Sequence, residues 1–264
     1  MTLTVKDLSV TYETASGRKV LAVADVNITV QVGEFVSLIG PSGCGKSTVL
    51  HCMGGMLRPS AGSVAVGGEE IRDPRPERAA FIFQDYSLFP WKSVVDNAAI
   101  GLRFAGMPKA ERRARALKEL ELVGLGHVAD SYPAELSGGM QQRVAISRAL
   151  AMEPEILLMD EPFGALDEQS RRRLGIEMSR VLTDTGKTVV MVTHSLDEAI
   201  FWADRVLVMG KGPGRIIEEL VVPEPRPRRP EFMTDRRFDA LRAKLFSLLE
   251  VSPAEEPVAV RSAG

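Results

Sequence analysis

The stretch GPSGCGKST, residues 40–48, brings glycines, a lysine and hydroxyl side chains together directly after the apolar run FVSLI. With a helical segment following it, the stretch meets the context that the G-x-x-x-x-G-K-[ST] pattern requires. Glycines let the backbone curl so that successive N–H groups point inward, where they and the helix N-terminus hold phosphate oxygens. The stretch therefore predicts a loop that binds nucleotide phosphates, and the alternative is a chance glycine turn.

Side-chain chemistry suggests roles within this loop. Lys46 is predicted to reach the β- and γ-phosphates as a positive charge, and Ser47 to bind Mg²⁺ with Thr48 beside it. The other loop residues predicted to bind the nucleotide are Gly40, Pro41, Ser42, Gly43, Cys44 and Gly45. The expected ligands are a nucleoside triphosphate and Mg²⁺.

Two acidic residues, Asp160 and Glu161, follow a second apolar run, ILLM. Phosphoryl transfer needs a positioned metal ion and a positioned water. Asp160 would emerge at the C-terminal end of a buried strand, the edge where open α/β sheets bind ligands, and would hold the Mg²⁺ shell. Glu161 would polarise the attacking water. Many strands end in acidic residues, so this prediction depends on the glycine loop.

The segment LSGGMQQR, residues 136–143, is a second glycine-containing helix start. Ser137, Gly138 and Gly139 would form another anion-binding tip by the same physics. One chain with one nucleotide does not need two such tips, but a symmetric pair of chains could use both. Each tip would then cap the γ-phosphate held by the other chain, although SGG by itself is equally typical of an ordinary helix cap.

The elements that must position these residues alternate between strands and helices. Residues 3–12 and VNITVQV predict strands with one wet face, and GSVAVGGEEI predicts an antiparallel hairpin. EFVSLI, EILLMD and TVVMVTH are typical of strands buried on both faces. Helical patterns between them, including residues 96–125, predict an α/β fold with a mainly parallel sheet, and residues 238–249 predict a further amphipathic helix.

Composition limits the classes of function. The chain has 264 residues and a net charge of -2, so no basic excess indicates a nucleic-acid ligand. The N-terminus lacks the pattern of a signal peptide, and no stretch approaches the roughly 18 apolar residues of a membrane span. Cys44 and Cys52 would lie about 12 Å apart, too far for a disulfide. We expect a soluble chain in a reducing compartment.

In their order along the chain, these motifs resemble those of the ATP-binding subunit of an ABC transporter over roughly residues 3–222. The resemblance implies a P-loop NTPase (RecA-like) core, an antiparallel β subdomain and an α-helical subdomain at about 86–153. Residues 223–264 would form a linker, an amphipathic helix and a loose tail. ATP and Mg²⁺ are the implied cofactors.

The resemblance also assigns residues by motif position. This sequence departs from the family's pattern at Gly164 in GALD, where the family more often has serine. Taken alone, Tyr12 would more often be a half-buried strand aromatic, and His194 would more often be a loop histidine with its hydrogen bonds satisfied. The implied roles are catalysis by Glu161, His194 and Lys46; metal contact by Ser47, Gln84 and Asp160; contact with the partner's nucleotide by Ser137, Gly138, Gly139 and Gln141; dimer contact by Asp167; and adenine stacking by Tyr12.

Finer features resemble the importer branch for nitrate, sulfonate and taurine, notably SLFPWKSVVDNAAIGL and the run ending in GPGRI. The implied function is ATP-driven uptake of a small solute by a homodimer, or a pair with a homologous cassette. Two transmembrane permease subunits and, indirectly, an extracytoplasmic solute-binding protein would be partners, at the cytoplasmic face of a bacterial membrane. Phe89, Pro90 and Trp91 would either contact the permease or cap the helical subdomain. The alternative function is a non-transport ABC ATPase acting on nucleic acid or ribosomes.

Overall fold

The computed structural model of the chain describes residues 3–15 and 17–250. The chain divides into two compact units, with boundaries between Arg75 and Pro76 and between Lys187 and Thr188. The first unit contains the outer segments of the chain, and the second contains the middle segment. Both units combine strands with helices, which confirms the predicted α/β class. The tail predicted to be loose lies outside the described residues.

The strands of the described residues are β1 (Leu3–Glu13), β2 (Lys19–Val30), β3 (Phe35–Ile39), β4 (Ala61–Val66), β5 (Glu69–Glu70), β6 (Ala79–Ile82), β7 (Ile156–Asp160), β8 (Thr188–Val192), β9 (Arg205–Met209) and β10 (Ile216–Val221). The α-helices are α1 (Lys46–Met53), α2 (Val94–Ala98), α3 (Ile100–Phe104), α4 (Lys109–Leu122), α5 (Gly138–Ala151), α6 (Glu168–Asp184), α7 (Leu196–Trp202) and α8 (Arg236–Glu250). None of these helices has the length and apolar character needed to cross a membrane.

An antiparallel sheet in the first unit has the strand order β2-β1-β4-β5. Its β4–β5 hairpin turns at Gly67 and Gly68, whose φ angles of 59° and 87° are those that such a turn requires. The alternation of buried side chains in β1 shifts between Val5 and Leu8, where the register with β2 also shifts. This sheet is the antiparallel subdomain that the sequence predicts.

Strand β3, also in the first unit, pairs in parallel with β8 and β9. Every residue of β3 and β8 is buried, as expected for strands covered on both faces. Strand β10 pairs with the other side of β9 in the antiparallel direction. Because β3 and β8 run in the same direction, the residues that follow them emerge at the same edge.

In the second unit, β6 pairs in parallel with β7, and helices α2, α4 and α5 pack against one another. The region predicted to be helical from residue 96 to 125 is divided into three helices. Gly106, with a φ of 80°, and Pro108 separate α3 from α4, because neither residue continues a helix. Gly124, with a φ of 76°, follows α4 in the left-handed conformation that commonly ends a helix.

Two arginines of the Pro/Arg-rich segment after β10, residues 223–232, bind other parts of the first unit. Arg226 donates to both carboxylate oxygens of Asp204, at 2.9 and 2.8 Å, and Asp204 also accepts from the Phe35 N–H. Arg228 donates to the carbonyls of Ile200 and Phe201 at the end of α7. Burial lowers the pKa of Arg228 to about 10. The segment leading to α8 is thus held by buried, charge-assisted hydrogen bonds.

We expect Arg226→Met to lower the free energy of unfolding by about 2 kcal/mol, less than the 3–5 kcal/mol typical of a fully buried pair. The Arg226 side chain is 10% exposed and that of Asp204 is 35% exposed, so solvent screens part of the interaction. Urea unfolding would measure the change. The control is Arg58→Met, since Arg58 and Asp73 form a pair in which both side chains are 71% exposed. Equal effects of the two substitutions would contradict the prediction.

Candidate functional site

The predicted phosphate loop connects β3 to α1 in the first unit. Gly43 and Gly45 have φ angles of 77° and 97°, in the left-handed region that side chains disfavour. A Cβ atom on Gly45 would also lie 2.5 Å from Cγ2 of Val23. Gly43 and Gly45, on either side of Cys44, therefore require glycine for the chain to curl into the start of α1.

Lys46 is folded across this loop. Its side chain is 8% exposed, and its Nζ donates to the carbonyls of Gly40 and Pro41 at 2.8 and 3.0 Å. The N-terminus of α1 has no side-chain cap and no acidic residue in its first turn. An uncapped helix start with an ammonium group held beside it has the donors and the charge that a polyphosphate needs.

A residue that sequence analysis missed, Gly214, presses against the phosphate loop. A Cβ atom on Gly214 would lie 1.8 Å from the carbonyl oxygen of Cys44. Gly214 is fixed there because its N–H donates to the carbonyl of Ala22 and its own carbonyl accepts from the N–H of Ala24. The only sequence signal was its place in the run GPGRI. Burial of Cys44, whose side chain is 1% exposed, raises the pKa of its thiol.

Tyr12 lies at the end of β1 and is 43% exposed. Its hydroxyl is 3.1 Å from the hydroxyl of Thr48 in α1, so the ring stands beside the helix that follows the phosphate loop. The exposure of the ring argues against a purely structural, half-buried aromatic and leaves surface on which a base could stack.

We expect Tyr12→Ala to weaken ATP binding by about 5- to 150-fold, because stacking of a base on an aromatic ring contributes roughly 1–3 kcal/mol. Tyr12→Phe keeps the ring and should bind ATP within about threefold of the parent chain. Binding of inorganic tripolyphosphate, which has no base, should be the same in all three proteins. A Phe variant as weak as the Ala variant would assign the effect to the Thr48 hydrogen bond instead.

His194 follows β8 in the first unit and is exposed. The residues around it are tied together: the Ser195 N–H donates to the Thr193 hydroxyl at 3.0 Å, and that hydroxyl lies 2.5 Å from a carboxylate oxygen of Glu198. Ser195 also caps α7 by accepting from the Glu198 N–H. The predicted catalytic histidine therefore stands on a turn whose backbone is fixed on both sides.

The second unit carries the acidic pair. Asp160 is the last residue of β7, and both Asp160 and Glu161 are half-buried. Glu161 has a φ of 45°, an uncommon conformation for a residue other than glycine, and such strain concentrates at functional positions. A Cβ atom on Gly164 would lie 2.9 Å from Nε2 of Gln84, so glycine rather than the family's more usual serine makes room for the Gln84 side chain.

The predicted second tip, residues 137–139, begins helix α5 in this unit. Ser137 is the N-cap and accepts from the Met140 N–H. Gln141 instead donates to the carbonyls of Pro133 and Leu136, within its own segment. A cavity of about 540 Å³ lies over the tip and is also lined by Arg143, Asp167 and Arg173. Hydrogen bonds from Ser170 lower the pKa of Asp167, which caps α6.

The aromatic cluster after Gln84 points outward. Trp91 is 72% exposed, and its ring centroid lies 5.6 Å from that of Phe89. The buried Asn97 holds this loop by accepting from the Phe89 N–H and donating to its carbonyl. A cap on the helical core would bury Trp91, so its exposure favours the interpretation of a contact surface.

The oxygen donors that the sequence assigns to Mg²⁺ suit that ion, which prefers hydroxyl, carboxylate and amide oxygens and keeps several waters. In the described part of the chain, no group of three or more His, Cys, Asp or Glu side chains is arranged to hold a metal ion by itself.

A family model described as "ABC transporter" matches residues 23–164. The chain is 44% identical over 248 residues to an uncharacterised ABC transporter ATP-binding protein of Methanocaldococcus jannaschii, covering 94% of this chain and 91% of the relative. It is 44% identical over 243 residues to the nitrate import ATP-binding protein NrtD of Synechococcus elongatus, covering 90% and 88%.

Other relatives are longer. The bicarbonate transport ATP-binding protein CmpC of Synechococcus elongatus is 41% identical over 250 residues, which cover 93% of this chain but 37% of that protein. A solved structure, described as a dimeric, post-hydrolysis state of the ATP-binding cassette MJ0796 bound to ADP and Pi, is similar with a TM-score of 0.72 and 33% identity. That similarity covers 84% of this chain and all of the other.

Proposed function

The chain belongs to the ABC transporter family, and from this premise we propose that it powers the import of a small anion through partner membrane subunits. ATP binding and ATP hydrolysis follow from the family, and the fold is that of its P-loop cassettes. Import of an anion such as nitrate or bicarbonate is supported by the relatives named for those solutes. The observation that carries this proposal is their identity of 41–44% over at least 90% of this chain.

The first unit would hold the nucleotide. Lys46 would exchange its bonds to the loop carbonyls for phosphate oxygens, and the uncapped start of α1 would donate its N–H groups to them. Ser47, Gln84 and Asp160 would hold Mg²⁺, which when bound neutralises charge that develops on the phosphates.

Hydrolysis would use Glu161 and His194. Glu161 would accept a proton from the attacking water, a role that its half-buried carboxylate suits. His194 would donate to a γ-phosphate oxygen from its fixed turn. Neither role needs a covalent intermediate on the protein.

A second copy would complete the site. Residues 137–139 would bind the terminal phosphate held by the partner chain, and Asp167 would contact that chain. ATP would favour the closed pair and ADP the open one, which converts hydrolysis into movement. The charge-bearing cavity over the tip supports this role.

Two measurements on the full chain test the ATPase part. Phosphate release should require Mg²⁺ and stop with EDTA, and the rate per chain should rise with protein concentration as pairs form. A rate per chain that is the same at every concentration, with verified monomers, would refute the shared site.

The transport part needs the membrane subunits. The exposed Phe89–Trp91 surface supports docking of a permease segment, with the cassette at the cytoplasmic face of the membrane. Proteoliposomes containing the chain, the permease encoded by the adjoining gene and the matching solute-binding protein should take up one of nitrate, bicarbonate or a sulfonate when ATP is supplied. Uptake of none of them, with ATPase activity intact, would reject the solute class but not the ATPase.

A further inference from the structure

The segment that follows Gln84, here called the 84–87 loop, is held by the helix that carries the tip. Arg148 of α5 donates to the carbonyl of Ser87 at 2.7 Å and to that of Tyr86 at 2.9 Å. Burial lowers the pKa of the half-buried Arg148, and the two carbonyls replace part of the water that its guanidinium loses. Ser87 has a φ of 47°, a strained conformation that the double hydrogen bond maintains.

The Tyr86 side chain reaches the tip itself. A Cβ atom on Gly138 would lie 3.0 Å from Oη of Tyr86 and 3.2 Å from Cδ2 of Leu166. Gly138 and Arg148 are ten residues apart on α5, about 15 Å along the helix axis. Long side chains on a helix point toward its N-terminus, so Arg148 and Tyr86 together span the distance between the loop and the tip.

The other end of the loop is also closely packed. Gln84 occupies the space beside Gly164, where a Cβ atom would lie 2.9 Å from Nε2 and 3.4 Å from Cγ of Gln84. At both Gly138 and Gly164, residues of the 84–87 loop therefore occupy the space that a side chain would need. Their lack of a side chain serves this packing as well as any ligand.

We propose that Arg148 and Tyr86 are positioning residues that fix the tip relative to the 84–87 loop, so that a displacement of the loop displaces the tip. The two residues are called the brace below. The inference rests on the proposed function, in which the tip binds a phosphate of the partner chain. The brace would transmit an event at Gln84 to the surface that pairs the two chains.

Arg148→Met removes both hydrogen bonds and keeps an unbranched apolar stem of similar reach. In a Glu161→Gln background, we expect the ATP-driven pairing constant, measured by light scattering, to weaken by about tenfold or more. At protein concentrations where the chain is monomeric, binding of a fluorescent ATP analogue should stay within about twofold, because the residues predicted to bind the chain's own nucleotide lie in the first unit. Arg148→Lys, which keeps a charge and hydrogen-bond donors, should recover part of the pairing.

Two results would overturn the proposal. One is an Arg148→Met chain that pairs as tightly as its parent. The other is a chain that loses analogue binding and thermal stability together with pairing, since that would assign Arg148 to the fold rather than to the position of the tip.

A second pair of variants decides the question even if the Arg148 variants do not fold. Gly138→Ala should weaken pairing because the new methyl group meets Oη of Tyr86. Adding Tyr86→Phe removes that oxygen and leaves Cζ at 3.8 Å, an ordinary contact, so pairing should return to within about threefold of Tyr86→Phe alone. No recovery would mean that Gly138 is required by the ligand and that the brace is wrong.

The parent chain separates this proposal from the proposed function. If the Glu161→Gln parent does not pair with ATP at all, the shared site itself fails. If the parent pairs and neither set of variants changes its pairing, the brace alone fails.

Discussion

Glu161→Gln should lower the ATP turnover number by about 10²- to 10⁴-fold, the range that a positioned general base contributes. The amide has the shape of the carboxylate but cannot take a proton from water. Binding of ATP should be unchanged or tighter, because a negative charge close to the phosphates is lost. Steady-state phosphate release would measure turnover, and equilibrium dialysis would measure binding.

Glu111→Gln is the matched control, since Glu111 is an exposed carboxylate in the first turn of α4 and has no predicted contact with nucleotide. Its turnover should equal that of the parent chain. A Glu161→Gln chain with parental turnover would remove Glu161 from the reaction. Loss of ATP binding in that chain would instead indicate a disturbed fold around β7.

Gly214→Ala should weaken ATP binding by roughly 100-fold, although Gly214 belongs to none of the predicted nucleotide-binding motifs. The new Cβ atom would lie 1.8 Å from the carbonyl oxygen of Cys44 in the phosphate loop. Backbone hydrogen bonds hold both Gly214 and Cys44 in place, so neither segment can easily move away. Overpacking of this kind costs about 3 kcal/mol or more, and each 1.4 kcal/mol changes an equilibrium constant tenfold. Either the loop shifts and loses its phosphate geometry, or the first unit is destabilised.

Gly126→Ala is the comparison substitution. Its Cβ atom would meet Cγ of Glu121 at 2.9 Å, a flexible side chain that can move, and it lies in the second unit. It should bind ATP as the parent chain does. Urea unfolding of Gly214→Ala would show which of the two routes applies, and parental ATP affinity in that variant would contradict the argument.

The phosphate loop, the buried strands and the start of α5 could be predicted because each depends on local chemistry. Glycines that can adopt a positive φ, an apolar run of five residues and a serine before two glycines can each be recognised in a short stretch of sequence. Helix α1 ends at Met53 although the apolar pattern continues, because Gly54 and Gly55 follow it and Gly55 adopts a φ of 70°.

Contacts between distant segments could not be predicted. Nothing local to Gly214 indicates that it presses on Cys44, 170 positions earlier, and nothing local to Arg148 indicates the carbonyls of the 84–87 loop. The proline- and arginine-rich composition after β10 is typical of a linker, yet Arg226 and Arg228 bind the core there. Such pairings depend on how the chain closes over long separations, which periodicity does not encode.

The division of the chain places the residue proposed to stack on the base and the residue proposed to activate water in different segments. Lys46, Tyr12 and His194 belong to the outer segments, whereas Glu161, Gln84 and the tip belong to the middle one. Affinity for the base of the nucleotide can therefore change through a substitution at Tyr12 without any substitution beside Glu161. Descendants of such a chain could adapt to new cellular ATP levels without redesigning the step that releases the energy.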